Sequence, residues 1–155
     1  MQSAINEQIN LEMFSANTYL SMSTYFAQQG LDGFAHWYYM QYKEELAHAE
    51  DMMHYVITRG GKVEIKAVAA VETEFNSPLE IAEKAYHHEC LVSEKIEGLV
   101  RIASEEKDMP SQDFFWKYIR EQVEEEANAT NLIERLRLAE GHAILFLDKE
   151  LAARQ

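Results

Sequence analysis

The sequence predicts an all-α fold, a four-helix bundle with a long crossover between the second and third helices and a short fifth helix. Apolar residues recur at steps of three and four over long stretches of the 155-residue chain, which contains only two prolines and six glycines. Two short breaks and one long connection separate four helical stretches, which indicates two antiparallel pairs joined by a crossover. We expect one domain, residues 1–155.

The first helical pair is predicted over residues 3–29 and 34–59. Gly30-Leu31-Asp32-Gly33 turns the chain between them, and Gly60-Gly61 ends the second helix. Residues 61–77 have no helical stripe and contain β-branched residues, so we expect an extended crossover. Such a segment reaches roughly 55 Å, whereas the second helix is about 39 Å long, so the third helix can run parallel to the second.

The second helical pair is predicted over residues 78–106 and 111–140. A proline opens the third helix, and Ser77 precedes it as the N-cap. Ser111 is the expected cap of the fourth helix, and residues 142–153 form a short fifth helix.

A carboxylate lies in the middle of each of the four apolar stripes, and the spacing repeats. Glu12 and Glu45 are 33 residues apart, and so are Glu89 and Gln122. The second helix carries the motif Glu-x-x-His, and the fourth carries Gln-x-x-Glu. The residues are Glu12, Glu45, His48, Glu89, Gln122 and Glu125. Burying ionised carboxylates costs several kcal/mol each unless they are compensated. A pair of metal ions suits an oxygen-rich cluster with one imidazole.

Two alternatives stand beside this metal cluster. A charge-free polar layer inside the bundle is the structural alternative, and the motif Glu45-x-x-His48 is weak by itself. A metal-free helical bundle that acts as an interaction or scaffold protein is the functional alternative. The placement of acids within all four apolar stripes favours the metal cluster over both.

Composition excludes several classes of function. The 14 basic and 27 acidic residues give a formal net charge of -13, which argues against a nucleic-acid partner. This charge suits a surface that collects cations, although an ordinary soluble acidic protein is the commoner explanation of charge alone. The single Cys90 excludes a disulfide within the chain and any CxxC site. No stretch reaches ~18 apolar residues and no secretory leader opens the chain, so we expect no membrane partner and a cytoplasmic location.

Five stretches of the sequence match the motifs of one known family. They are Asn6–Glu12, Glu44–His48, His88-Glu89, Glu121–Glu126 and Asp148–Leu151. On these stretches the chain resembles the bacterial-type non-haem ferritins over essentially its whole length. The resemblance implies a ferritin-like bundle with ferroxidase activity, which oxidises Fe(II) with O2 or H2O2. It also implies a homo-oligomeric shell of 24 subunits that stores Fe(III) mineral.

The resemblance implies a di-iron site within each subunit. Glu12, Glu45 and His48 correspond to the ligands of the first iron. Glu45 corresponds to a bridge to the second iron, which Glu89 and Glu125 also hold.

Further roles are implied around these ligands. Gln122 corresponds to a residue that hydrogen-bonds the site or bound oxygen. Tyr19 corresponds to one that supplies an electron, for which an ordinary core aromatic is the alternative. A third iron site shares Glu125 and is completed by Glu44, Glu121 and Glu124, for which a solvated acidic face is the alternative.

Departures from related families narrow the subclass. Bacterioferritins repeat Glu-x-x-His where this chain has Gln122-x-x-Glu125, and they bind haem through a methionine where this chain has Leu46, so no haem is expected. Mini-ferritins lack the fifth helix, and rubrerythrins need paired cysteines. The fifth helix is expected at a fourfold axis, where Ile144, Leu145 and Leu147 pack between copies. The remaining histidines are interpreted as structural or surface residues: His36, His54, His87, His88 and His142.

Overall fold

The computed structural model describes residues 1–139 and 141–153. The described residues form helices and connections without a strand, which confirms the all-α prediction. The elements are α1 (Gln2–Gln28), α2 (Asp32–Thr58), α3 (Pro78–Glu105), α4 (Met109–Leu138), a 3-10 turn (Gly141–Ala143) and α5 (Ile144–Leu151). Residues 61–77 contain no helix, as expected for the crossover. In the described part of the chain, no helix combines the length and apolarity needed to span a membrane.

The bundle core consists of two apolar clusters with a polar layer between them. α1 packs on α2 and α3 packs on α4. One cluster contains aromatic residues that include Tyr19, Phe26 and Tyr38. The other is centred on residues that include Ile9 and Phe115. On each long helix at least one buried polar residue with a long side chain falls between the residues of these two clusters, and these residues are Glu12, Gln41, Glu45, Glu89 and Gln122. The repeated spacing in the sequence therefore becomes one polar layer across the bundle.

The N-termini of the second pair are capped locally. Ser77 caps α3 as predicted, since its side chain accepts a hydrogen bond from the Glu80 amide at 3.1 Å. The predicted cap of α4 is wrong: Asp108 is the N-cap and accepts from the Ser111 amide at 3.3 Å and from the Ser111 hydroxyl at 2.7 Å. The helix begins earlier than expected because Pro110 fits its first turn.

The turn between α1 and α2 is shorter than the sequence suggests. Asp32 and Gly33 belong to α2, and Gly30 supplies the positive φ of 72°. Gly33 serves a different purpose, because a Cβ atom there would lie 1.7 Å from the carbonyl oxygen of Asp148 in α5. The Phe34 amide donates to Asp148 Oδ1 at 2.9 Å. The C-terminal helix α5 thus packs against the first turn of α2.

The docking of α5 corrects one sequence expectation. Leu147 is only 5% exposed and packs, with Leu151, in the aromatic core cluster of its own subunit. It is therefore not available to pack between copies, whereas Leu145 and Phe146 remain exposed. Glu140, at the predicted end of the fourth helix, lies outside the described residues.

Candidate metal centre

Three of the expected ligands converge where α1 and α2 face each other. Glu12, Glu45 and His48 each offer a ligand atom, and these atoms lie within 4.8 Å of one another. No other group of three or more His, Cys, Asp or Glu side chains in residues 1–139 and 141–153 meets this criterion. The i, i+3 spacing of Glu45 and His48 places both on one face of α2. The structure thus brings together the ligand set expected for the first iron.

This group is buried and incompletely hydrogen-bonded. Glu12 is 1% and Glu45 4% exposed, and the Oε2 atom of each has no hydrogen-bond partner. Glu12 Oε1 accepts from Gln8 Nε2 at 2.7 Å. Burial, and then the charge of Glu45, raises the pKa of Glu12 well above its usual range. Burial raises the pKa of Glu45 to about 8, although a hydrogen bond with Glu12 opposes the shift. A divalent cation would compensate both carboxylates, so the donor set fits a metal ion.

The residues expected for the second iron are arranged differently. Glu89 is 2% exposed and accepts hydrogen bonds from the Tyr19 hydroxyl and from Gln122 Nε2, the latter at 3.0 Å. Burial raises the pKa of Glu89 despite these two donors. Glu125 is half-buried on α4 and accepts from Gln41 Nε2 at 2.9 Å. Each of these carboxylates is therefore held by protein donors.

The residues expected for the third iron lie at the edge of the layer. Glu121 Oε1 lies 3.2 Å from His48 Nε2. The hydrogen bond from His48 lowers the pKa of Glu121, while burial opposes it. Burial would lower the pKa of His48, but Glu121 and nearby carboxylates raise it overall. Glu44 is half-buried and Glu124 is exposed. Glu121 thus connects this set to the imidazole of the first group.

Tyr19 is fixed against the layer. Its ring is 1% exposed and stacks on Tyr38, with centroids 6.1 Å apart, while His88 meets its edge at 5.9 Å. Burial, followed by the charge of Glu89, raises the pKa of Tyr19, which keeps the phenol protonated as a donor. His88 also contacts Ser15 Oγ through Nε2 at 2.7 Å, consistent with the structural role expected for it.

Three polar residues around the site were not identified as functional from the sequence. Gln8 and Gln41 donate to Glu12 and Glu125, and Ser93 Oγ accepts from Gln122 Nε2 at 3.3 Å. Gln8 and Gln41 each precede a stripe glutamate by four residues, and Ser93 follows one by four. This same-face spacing was the available signal, because residues four apart on a helix are neighbours.

Comparisons with known proteins agree with this architecture. The sequence profile of the ferritin-like domain matches residues 2–139. A bacterial non-heme ferritin of Bacteroides fragilis is 46% identical over 154 residues, covering 99% of this chain and 97% of the relative. One from Campylobacter jejuni is 36% identical over 138 residues, covering 89% and 83%. The crystal structure of an open pore ferritin from the archaeon Archaeoglobus fulgidus superposes with a TM-score of 0.98 at 47% identity, covering 100% and 96%.

Proposed function

The chain belongs to the ferritin family of iron-storage proteins, and on that premise we propose that it is a ferroxidase that oxidises Fe(II) at a di-iron site inside each subunit. The Fe(III) product is stored as mineral inside a hollow shell of 24 copies. The single domain of residues 1–155 carries both functions, without haem and in the cytoplasm.

The buried pair Glu12 and Glu45 is the observation that carries the proposal. Each has a carboxylate oxygen with no hydrogen-bond partner, and the imidazole of His48 completes a set of three donors. Protein interiors leave few polar atoms unpaired, because desolvation without a partner is costly. A positively charged substrate accounts for this exception.

The donor types suit oxidation of iron. Carboxylate ligands favour the harder Fe(III) over Fe(II), so they favour loss of an electron. Glu45 bridges two iron positions, and Glu89 and Glu125 complete the second one. Two Fe(II) ions held side by side deliver two electrons to one molecule of O2 or H2O2. The second position has carboxylates but no imidazole, which leaves room for the oxidant and lets the product move on.

Residues around the pair have supporting roles. When O2 is reduced fully to water, Tyr19 and an Fe(II) ion at a third position supply the two electrons beyond those of the iron pair, and the Tyr19 hydroxyl contact with Glu89 supports this role. Gln122 donates to Glu89 and acts through hydrogen bonds. A third iron position uses Glu44, Glu121 and Glu124 together with Glu125, and the contact between Glu121 and His48 links it to the first.

Aerobic addition of Fe(II) to the purified, metal-depleted protein tests the activity. Ferric absorbance should develop rapidly in the wild type and should be lost in the double variant Glu45→Ala/Glu89→Ala. Glu50→Ala is a matched control, because Glu50 is exposed on the same helix as Glu45. If the wild type develops no ferric absorbance, or if the double variant oxidises Fe(II) at an unchanged rate, the proposed ferroxidase activity is excluded.

Mass in solution tests the shell separately. Twenty-four copies of the 18.0 kDa chain amount to about 430 kDa. A monomer of wild-type protein would contradict storage in a shell. A monomer that also binds no metal would favour the alternative of a scaffold or interaction protein.

A further inference from the structure

We propose that Gln41, which lies outside the expected ligand set, positions Glu125 for the second iron and holds one water-sized hydrogen-bond donor beside it. Gln41 lies on α2, whereas Glu125 lies on α4, so the contact ties the two hairpins together at the polar layer. This inference rests on the proposed di-iron function.

The orientation of the Gln41 amide follows from its partner. Gln41 is 5% exposed, and its nitrogen lies 2.9 Å from Glu125 Oε2. The amide nitrogen is the donor in this contact, so the amide presents its N–H to Glu125. Oε1 of Gln41 then points elsewhere, and it is buried with no partner in the protein. Both ends of the side chain are thereby determined.

A small cavity adjoins the same side chain. Its volume is about 20 Å³, which is sufficient for a single water molecule. The lining includes the carboxylates Glu89 and Glu125 on the site side, and Tyr19 and Trp37 among the aromatic residues. A molecule that pairs with Gln41 Oε1 must donate a hydrogen bond. Water meets this requirement, whereas dioxygen has no proton to donate.

The hydrogen bond to Glu125 has a consequence for metal affinity. A ligand whose rotamer is already fixed loses less freedom when the ion binds, and removing such a support typically weakens binding 10–100-fold. The first half of the site has a counterpart, because Gln8 Nε2 donates to Glu12 in the same way at 2.7 Å. Gln8 therefore provides a matched comparison for Gln41.

Calorimetric titration of the metal-depleted, assembled protein with Zn2+ tests the proposal without any redox activity. The wild type should bind at least two ions per subunit, and Glu89→Ala identifies the step that belongs to the second position. Gln41→Met keeps the length of the side chain but removes the N–H donor to Glu125. It should therefore weaken Zn2+ binding at the second position by about 10-fold and leave the first position unchanged. Gln8→Met should affect the other step instead.

The outcomes separate the two proposals. If the wild type binds fewer than two Zn2+ ions per subunit, the di-iron function fails at its first premise. If the wild type binds two or more and Gln41→Met leaves the second step unchanged, or weakens both steps equally, the positioning role is overturned. A high-resolution crystal structure should contain an ordered oxygen atom within hydrogen-bonding distance of Gln41 Oε1 in the wild type. Its absence there would overturn the binding of a donor in the cavity.

Discussion

The two hairpins of this bundle contribute to one polar layer in opposite ways. The α1–α2 hairpin gathers Glu12, Glu45 and His48 within 4.8 Å and leaves carboxylate oxygens without partners. The layer holds the carboxylates of α3 and α4 through donors, since Tyr19 and Gln122 pair with Glu89 and Gln41 pairs with Glu125. The first arrangement needs a cation or protons to compensate its carboxylates, whereas the carboxylates of the second already accept hydrogen bonds from protein donors. A symmetric sequence repeat has therefore produced two unequal halves.

The same contrast is found at the helix termini. α3 and α4 have side-chain caps from adjacent residues, Ser77 and Asp108. α1 and α2 have no side-chain hydrogen bond from their N-cap residues. The first turn of α2 is served instead by Asp148 of α5, which accepts from the Phe34 amide. The hairpin with the unsatisfied acids thus also depends on a contact that is distant in sequence.

Glu45→Ala should have the largest effect, because this residue belongs to the first group and is the expected bridge to the second. We expect the rate of Fe(II) oxidation to fall by at least about 100-fold and Zn2+ binding to weaken at both positions. Stopped-flow ferric absorbance and calorimetry measure the two effects. A variant that loses only the second Zn2+ ion would show that Glu45 does not join the halves.

The stability of the metal-free protein should decrease as the pH rises. The Glu45 carboxyl keeps its proton up to a pKa of about 8 in the folded state, against an ordinary value of 4.5. The folded state therefore binds more protons between these values, and the free energy of unfolding falls as the pH rises through that window. Burial shifts Glu12 and Glu89 in the same direction.

Urea unfolding in the presence of a chelator, repeated from pH 5 to pH 8, measures this dependence. Glu45→Gln should flatten it, because the amide has no proton to lose. Excess Zn2+ should reverse it, because the cation binds the deprotonated carboxylates. An equal slope in the wild type and in Glu45→Gln would show that the acids of the first half are already compensated within the protein.

The positions of the helices, and the height at which the carboxylates lie in the bundle, were predictable because both follow from local periodicity. The 3.6-residue period fixes which side chains share a face, and antiparallel pairing then places Glu12 level with Glu45. Ser77 was identified for the same reason, since an N-cap acts on residues only three positions away. The convergence of Glu12, Glu45 and His48 needed no more than these local rules.

The remaining features depend on packing between distant segments. Gln41 and Glu125 are 84 residues apart, and only the docking of α2 near α4 gives the amide its partner. The buried side of α5 depends on Gly33, where the absence of a side chain lets Asp148 approach. A periodic pattern gives α5 an apolar face, but it does not say whether its own bundle or a neighbouring copy covers Leu147.

Tyr19→Phe should have an intermediate effect that is confined to the second half. The ring keeps its contacts with Tyr38 and His88, while Glu89 loses one of its two side-chain donors. We expect about 10-fold weaker Zn2+ binding at the second position, with the first unchanged. The same variant should oxidise Fe(II) more slowly because its ring cannot form a phenoxyl radical. Weaker binding at the first position instead would mean that Tyr19 supports the whole layer.

Loss of the two helix caps should have the smallest effect and compares the hairpins directly. Asp108→Ala removes a local cap from α4, and Asp148→Ala removes the distant one from α2; each should cost about 1 kcal/mol of unfolding free energy. Asp113→Ala, at an exposed site in α4, is the control. Because Asp148 lies in α5 and contacts the start of α2, its loss should also increase hydrogen exchange at the Phe34 amide, whereas Asp108→Ala should leave that amide protected. Unchanged protection of the Phe34 amide in Asp148→Ala would mean that the start of α2 does not depend on its contact with α5.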